Sequence, residues 1–171
     1  FDCLTAWLAP FLCFTAEEAW LARHPGDEES VHLRLFPTLP GEWRDEDLAE
    51  RWKTVRRLRR VVTGALEVER AAKRIGASLQ AHPRIWAGDE YRAATAGLDL
   101  AELSITSAAS FAEGEPPADA FRLEDTPGVA VRVELAQGGK CARCWQVLPD
   151  VGEHAQHPDL CGRCTAAVEV H

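Results

Sequence analysis

The chain contains no methionine and a single tyrosine. It also has no apolar run approaching the roughly 20 residues that span a bilayer, which excludes a membrane-spanning helix. The first residues, Phe1-Asp2-Cys3-Leu4, lack the basic stretch that precedes the apolar part of a secretion signal. A sequence that opens mid-pattern without an initiator methionine is expected to be a piece of a longer protein. Positive charge is in the minority, with 19 Lys and Arg against 27 Asp and Glu, so the net charge of −8 argues against wholesale nucleic-acid binding. What is present, 46% apolar and 27% charged residues, is the composition of a globular protein. The 171 residues suffice for one ordinary domain or two to three small ones.

The positive charge is concentrated. Residues 51–74 hold nine basic side chains (Arg51, Lys53, Arg56, Arg57, Arg59, Arg60, Arg70, Lys73 and Arg74) against Glu67 and Glu69. This local +7 leaves −15 on the rest of a chain whose total is −8. A confined basic stripe on an acidic protein docks a polyanion in one orientation and repels it elsewhere.

Residues 1–9 read as the end of a helix stopped by Pro10. Thr15-Ala16-Glu17-Glu18 reads as a capping box opening a second helix that ends at His24-Pro25-Gly26. A long connection over 27–43 holds an extended run, Val31 to Leu35. Asp45 is expected to cap the third helix, with Glu46 and Asp47 in its first turn, where the helix dipole favours anions. Leu48, Val55, Val62 and Leu66 mark one apolar face of a helix predicted to reach about Leu79, with His82-Pro83 as the stop. At ~100° per residue, Arg56, Arg60 and Arg74 lie beside that face. Trp7, Trp20 and Trp52 fit helix-core positions. Gly64 and Gly76 weaken the helix and mark close packing or close approach of RNA. Beyond it the pattern predicts strands at 84–87 and 104–111, a short helix over 89–96, and a half-buried strand from Val129 to Leu135. The fold expected is mainly α with a small α+β unit: a helical bundle over 1–82, a junction subdomain over 83–138 and a cysteine module over 139–171.

Four of the six cysteines form two Cys-x-x-Cys pairs, Cys141/Cys144 and Cys161/Cys164, separated by sixteen residues. Each pair folds into a knuckle presenting two thiolates, and two knuckles complete a tetrahedron around one structural Zn²⁺. Two disulfides or a redox pair are the alternatives. Four cysteines leave no open position for catalysis, and no catalytic residue is assigned. Lys140, Arg143 and Arg163 stand beside the sulfurs to offset their charge. Cys3 and Cys13 lie far off and read as buried thiols. Trp145 follows the first knuckle and either packs beneath it or presents its face to a base.

Lys140-Cys141-Ala142-Arg143-Cys144-Trp145, Asp150-Val151-Gly152 and His157-Pro158-Asp159-Leu160-Cys161-Gly162-Arg163-Cys164 resemble the zinc finger that closes bacterial isoleucyl-tRNA synthetases. The same finger type closes the formamidopyrimidine-DNA glycosylases. Residues 8–20 and 30–33 are similar to the anticodon-binding bundle of the isoleucine, valine and leucine enzymes. Residues 73–81 resemble the end of that family's long basic helix, departing at Ala77 and Gln80. The resemblance implies part of a monomeric, cytoplasmic class I synthetase that activates isoleucine with ATP and transfers it to tRNA(Ile). Neither class I ATP-binding signature occurs here, so ATP and isoleucine would act only through an absent catalytic domain. With such a partner, the basic stripe and the finger are expected to contact the tRNA at Arg56, Arg60, Arg70, Lys73, Arg74, Arg143 and Trp145. A glycosylase tail, or a free-standing zinc-ribbon interaction module, remains the alternative.

Overall fold

The computed structural model describes residues 1–170. It parts into two compact units, 1–46 and 47–171, and the fold is mixed α+β rather than mainly α. The long helix shares its core with the sheet that follows it.

In the first unit, helix α1 (Asp2–Leu8) is followed by α2 (Cys13–Arg23). Ala9, Ala16, Trp20 and Val31 form its core. Trp20 stacks on His24 at 4.1 Å between ring centroids. Thr15 caps nothing: α2 begins two residues earlier, after Leu12, whose N–H bonds the Leu8 carbonyl. Glu17 instead reaches across to the next segment, accepting from Ser30 Oγ at 3.1 Å and Val31 N–H at 2.9 Å. Ser30 Oγ in turn accepts from the His32 N–H, which draws Val31–Leu33 into a 3-10 turn where an extended run was expected. Of the three tryptophans assigned to helix cores, Trp20 is buried, Trp52 half-buried and Trp7 exposed. Cys13 is also exposed rather than buried.

The second unit is built on α3 (Glu46–Ala71), which starts directly after Asp45. Its Leu58, Val61, Val62, Ala65 and Leu66 pack on Ile85, Val129 and Val131 of a three-stranded sheet. The helix stops eight residues short of Leu79. Lys73 adopts φ +57°, its N–H bonds the Arg70 carbonyl, and the Arg74 N–H bonds the Glu69 carbonyl. These are the two bonds of a Schellman cap, made here by lysine in the left-handed position usually held by glycine. Ile75 then drops into the core. Gln80 closes the following turn by accepting from the Gly76 and Ala77 N–H groups at 2.6 and 3.2 Å.

His82-Pro83 does not end an element but lies inside β1 (Ala81–Ala87), whose Ala81, Pro83 and Ile85 face the core. Strand β1 is central. It pairs antiparallel with β3 (Val129–Leu135), from Ala81↔Leu135 to Ala87↔Val129, and parallel with the two-residue β2 (Ser110–Phe111). Helices α4 (Asp89–Ala94) and α5 (Leu100–Ser104) make the crossover that a parallel pair requires. The Asp99 carboxylate caps α5, bonding the Ala101 and Glu102 amides, so the strand expected from Ser104 survives only at 110–111. The finger adds a short ladder of β4 (Gly139–Lys140) and β5 (Val147–Leu148), then α6 (Gly162–Glu169). Its small core of Cys141, Leu160, Cys161 and Cys164 is separate from that of the sheet.

Candidate metal centre and basic face

The β4–β5 turn carries the first knuckle, and the N-terminus of α6 carries the second. They bring the sulfurs of Cys141, Cys144, Cys161 and Cys164 within 4.8 Å of one another. Cys144 Sγ lies 3.8 Å from Cys161 Sγ. At a Zn–S bond of ~2.3 Å a tetrahedron has sulfur–sulfur edges of about 3.8 Å, so the pocket has the size of a closed Zn²⁺ site. A disulfide would need a separation of about 2 Å, and all four thiols are free. Cys141, Cys161 and Cys164 are fully buried and Cys144 half-buried.

Electrostatics show why such a pocket wants a cation. Burial pushes both Cys141 and Cys161 toward the neutral thiol. At Cys141 the backbone N–H groups of Cys144, Cys161 and Arg143 outweigh burial and hold the thiol at about 6. At Cys161 burial, reinforced by the neighbouring thiols, wins and pushes it up to about 12. Four thiolates in so small a volume require a divalent charge at their centre. The Cys161 N–H points at Cys141 Sγ at 3.4 Å, and Arg143 Nη1 lies 3.6 Å from Cys164 Sγ. Arg163 is held above its usual range by its bond to the Cys144 sulfur.

Residues around the sulfurs that the sequence pattern did not mark complete the frame. Gln146 returns its carbonyl to the Cys141 N–H at 2.9 Å, and its side-chain oxygen accepts from Arg163 at 3.1 Å. The Asp150 carboxylate accepts from the Gly162 N–H at 2.7 Å, fixing the start of α6 beside Cys161. Trp145 sits at φ +67° with its ring exposed and Lys140 Nζ 5.6 Å from the ring centroid. Of its two readings, packing beneath the knuckle does not occur.

The basic stripe of α3 divides into two groups. Arg51 donates to the Ala94 and Ala96 carbonyls, and Arg59 to that of Leu103. Both are spent on closing the ends of α4 and α5. Arg70 pairs with Glu67 and Arg74 with Glu69; the carboxylate bond holds Arg74 more basic than usual. Arg60 bonds Asp125 at 2.8 Å and Thr126 at 3.0 Å. Among the described residues, Arg56 has an unpartnered guanidinium and Lys73 an unpartnered ammonium. Arg56 lines an open cleft with Glu50, Lys53, Thr54, Arg57 and Arg60.

Two family models match the chain. The anticodon-binding domain of tRNA ligases covers residues 1–85. The zinc finger found in FPG and IleRS covers residues 138–167. The isoleucine–tRNA ligase of Agrobacterium fabrum is 52% identical over 98% of this chain. That of Bartonella henselae is 51% identical over 98%, and that of Brucella suis 51% over 96%. The chain belongs to the isoleucine–tRNA ligase family. It spans 17% of the length of these relatives, corresponding to their C-terminal region. An anticodon-binding domain ahead of the finger disfavours the DNA-glycosylase tail and the free-standing ribbon. Among the described residues, no helix is long and apolar enough to cross a membrane.

Proposed function

We propose that this chain recognises the anticodon end of tRNA(Ile) for an isoleucine–tRNA ligase and catalyses nothing by itself. In this reading the whole enzyme, a cytoplasmic monomer, activates isoleucine with ATP in a domain outside the chain and transfers it to the tRNA held here. The observation that carries the reading is the joint occurrence of an anticodon-binding domain and a ligase-type zinc finger in one chain half-identical to isoleucine–tRNA ligases. Cys141, Cys144, Cys161 and Cys164 hold one structural Zn²⁺.

Phosphate contact falls to the exposed cations of α3. Arg56 is foremost, because it gives up no partner on binding, with Lys53, Arg57 and Arg60 beside it in the cleft. Arg70, Lys73 and Arg74 extend the charge toward the end of the helix. Trp145 offers its exposed ring for base stacking, and Arg143, already turned toward Cys164, adds charge beside it.

The test uses the full-length ligase with Cys161→Ser. Losing one thiolate weakens the metal site and, in a module this small, unfolds it locally. Isoleucine-dependent ATP–pyrophosphate exchange should persist while tRNA charging falls. Equal loss of both half-reactions would assign the finger to global stability, and no loss of either would refute the reading.

A further inference from the structure

The finger has no core in common with the rest of its unit, yet the recognition surface just described needs the finger and the end of α3 held in one arrangement. Among the described residues, two hydrogen bonds outside the chain connection join residues 139–170 to the sheet and helices of 47–138. Both end on consecutive residues. Gln146 Nε2 donates to the Thr106 carbonyl at 3.4 Å, and the Val147 N–H donates to Ser107 Oγ at 2.7 Å. The covalent link is short, and its Gly138 lies against Leu148 of the finger rather than against the sheet. The last sheet bond is that of the Ala136 N–H to the Gln80 carbonyl, and the finger ladder starts at Gly139. Only Gln137 and Gly138 lie between.

The Ser107 hydroxyl is used twice. It accepts from the finger through Val147 and donates to the Leu79 carbonyl at 2.5 Å. Leu79 belongs to the 3-10 turn Ser78–Gln80, the segment that Gln80 ties back to Gly76 and Ala77 just after the Schellman cap of α3. One buried oxygen, on a residue 6% exposed, therefore bonds both the zinc finger and the chain leaving the basic helix. Its own position is fixed locally. Ile105 turns left-handed, the Thr106 N–H bonds the Ala101 carbonyl at 2.9 Å, and Thr106 Oγ1 bonds the Ala108 carbonyl at 2.9 Å.

We propose that Ser107 is the positioning residue of the recognition surface: its hydroxyl pins the finger to the turn after the basic helix, so that Trp145 and Arg143 keep a fixed direction relative to Lys73 and Arg74. The inference rests on the tRNA reading for its purpose, though not for its mechanics. Removing the hydroxyl leaves the Val147 N–H and the Leu79 carbonyl unpaired, and leaves the finger attached by Gln146 and a two-residue link. The metal site stays whole, since no sulfur contact passes through Ser107. A finger free to turn must be ordered again when tRNA binds, and that entropy is taken from affinity.

The experiment compares the zinc-loaded chain with its Ser107→Ala and Ser107→Thr variants. Backbone ¹⁵N relaxation should give residues 139–170 and 47–138 one tumbling time in the unmodified chain. In Ser107→Ala the finger should gain independent motion at unchanged zinc content, and Val147 amide exchange should accelerate. Ser107→Thr, which keeps the hydroxyl, should restore both. Binding of isoleucine tRNA should weaken about three- to tenfold in the alanine variant alone. Independent tumbling in the unmodified chain, which needs no variant to fold, overturns the proposal. So does common tumbling in Ser107→Ala. If the unmodified chain ignores tRNA, the recognition reading fails, while the relaxation result still decides the role of Ser107.

Discussion

Gly64 lies in the middle of a 26-residue helix, where glycine is ~1 kcal/mol less favourable than alanine. On propensity alone, Gly64→Ala should stabilise the protein by that amount. The packing reverses the sign. A Cβ at position 64 would sit 2.8 Å from both Cε1 and Cζ of Phe121, far inside contact distance. The ring cannot back away by moving its backbone, because the Phe121 N–H and carbonyl bond Val131 at 2.8 and 2.9 Å. It must rotate, giving up its contact with the core of α3 and the sheet. Overpacking of this kind costs ~1–3 kcal/mol. Set against the ~1 kcal/mol gain, the net effect is a loss of up to ~2 kcal/mol. With about 1 kcal/mol at the midpoint of that range, the melting temperature falls by about 4 °C. Urea unfolding of the zinc-loaded chain measures it, and Phe121→Leu supplies the control. The shorter side chain leaves room for the methyl, so Gly64→Ala should cost less in that background. A stabilised Gly64→Ala single variant, or equal effects in both backgrounds, would show that propensity governs this position and that the contact with Phe121 is not limiting.

Zinc uptake at pH 7 should load about one ion per chain. It should also release protons, because Cys161 keeps its proton to about 12 while Cys141 has already lost its own near 6; titration calorimetry in buffers of different ionisation enthalpy counts them, and a proton-neutral reaction would contradict the site. Thiol protonation opposes the metal, so zinc affinity should fall steadily as the pH drops through 6. Asp150→Ala removes the carboxylate that holds the Gly162 N–H, and should lower zinc affinity about tenfold with helix content kept, read by competition with a chelator; unchanged affinity would make the bond incidental. Arg56→Glu should weaken tRNA binding more than Arg74→Glu, since Arg74 already serves Glu69. Arg56→Ala should reduce the salt slope by just under ~1. No salt dependence lost at Arg56 would leave its charge as ordinary solvation.

Elements set by neighbours in the chain were legible. The strand Val129–Leu135 follows from strict alternation, and the start of α3 from Asp45 before two acidic residues. The end of that helix was not legible. Its cap uses Lys73 in the conformation that normally announces itself as glycine, while Gly76, which looked like an interior helix residue, lies past the stop. Thr15 failed for a related reason. A Thr-x-x-Glu pattern satisfies the capping rule locally, but Pro10 and the turn after it let the helix begin earlier, and freed Glu17 to bond residues 30 and 31. His82-Pro83 misled because proline lacks a donor, and a strand tolerates it where the ladder does not ask for that N–H.

The same division runs through the candidate site. Cysteine spacing encodes a knuckle within four residues, so all four sulfurs could be named in advance and the structure brings them together. An arginine on a helix announces charge but not its partner. Arg51 and Arg59 looked as available as Arg56, yet they close the ends of helices 43 to 45 residues further along the chain. The fold decides which cations a polyanion can reach at no internal cost, and it decides through carbonyls that carry no sequence signature. Ser107 is the limiting case. As one of three serines in a stretch that read as a strand it gave no signal, and its importance arises because Leu79 and Val147 meet at its oxygen. Residues that bind a ligand are chemically conspicuous, whereas residues that aim the binding groups are conspicuous only in three dimensions. A substitution survey restricted to cysteines, arginines and tryptophan would therefore find the binding groups and miss what orients them.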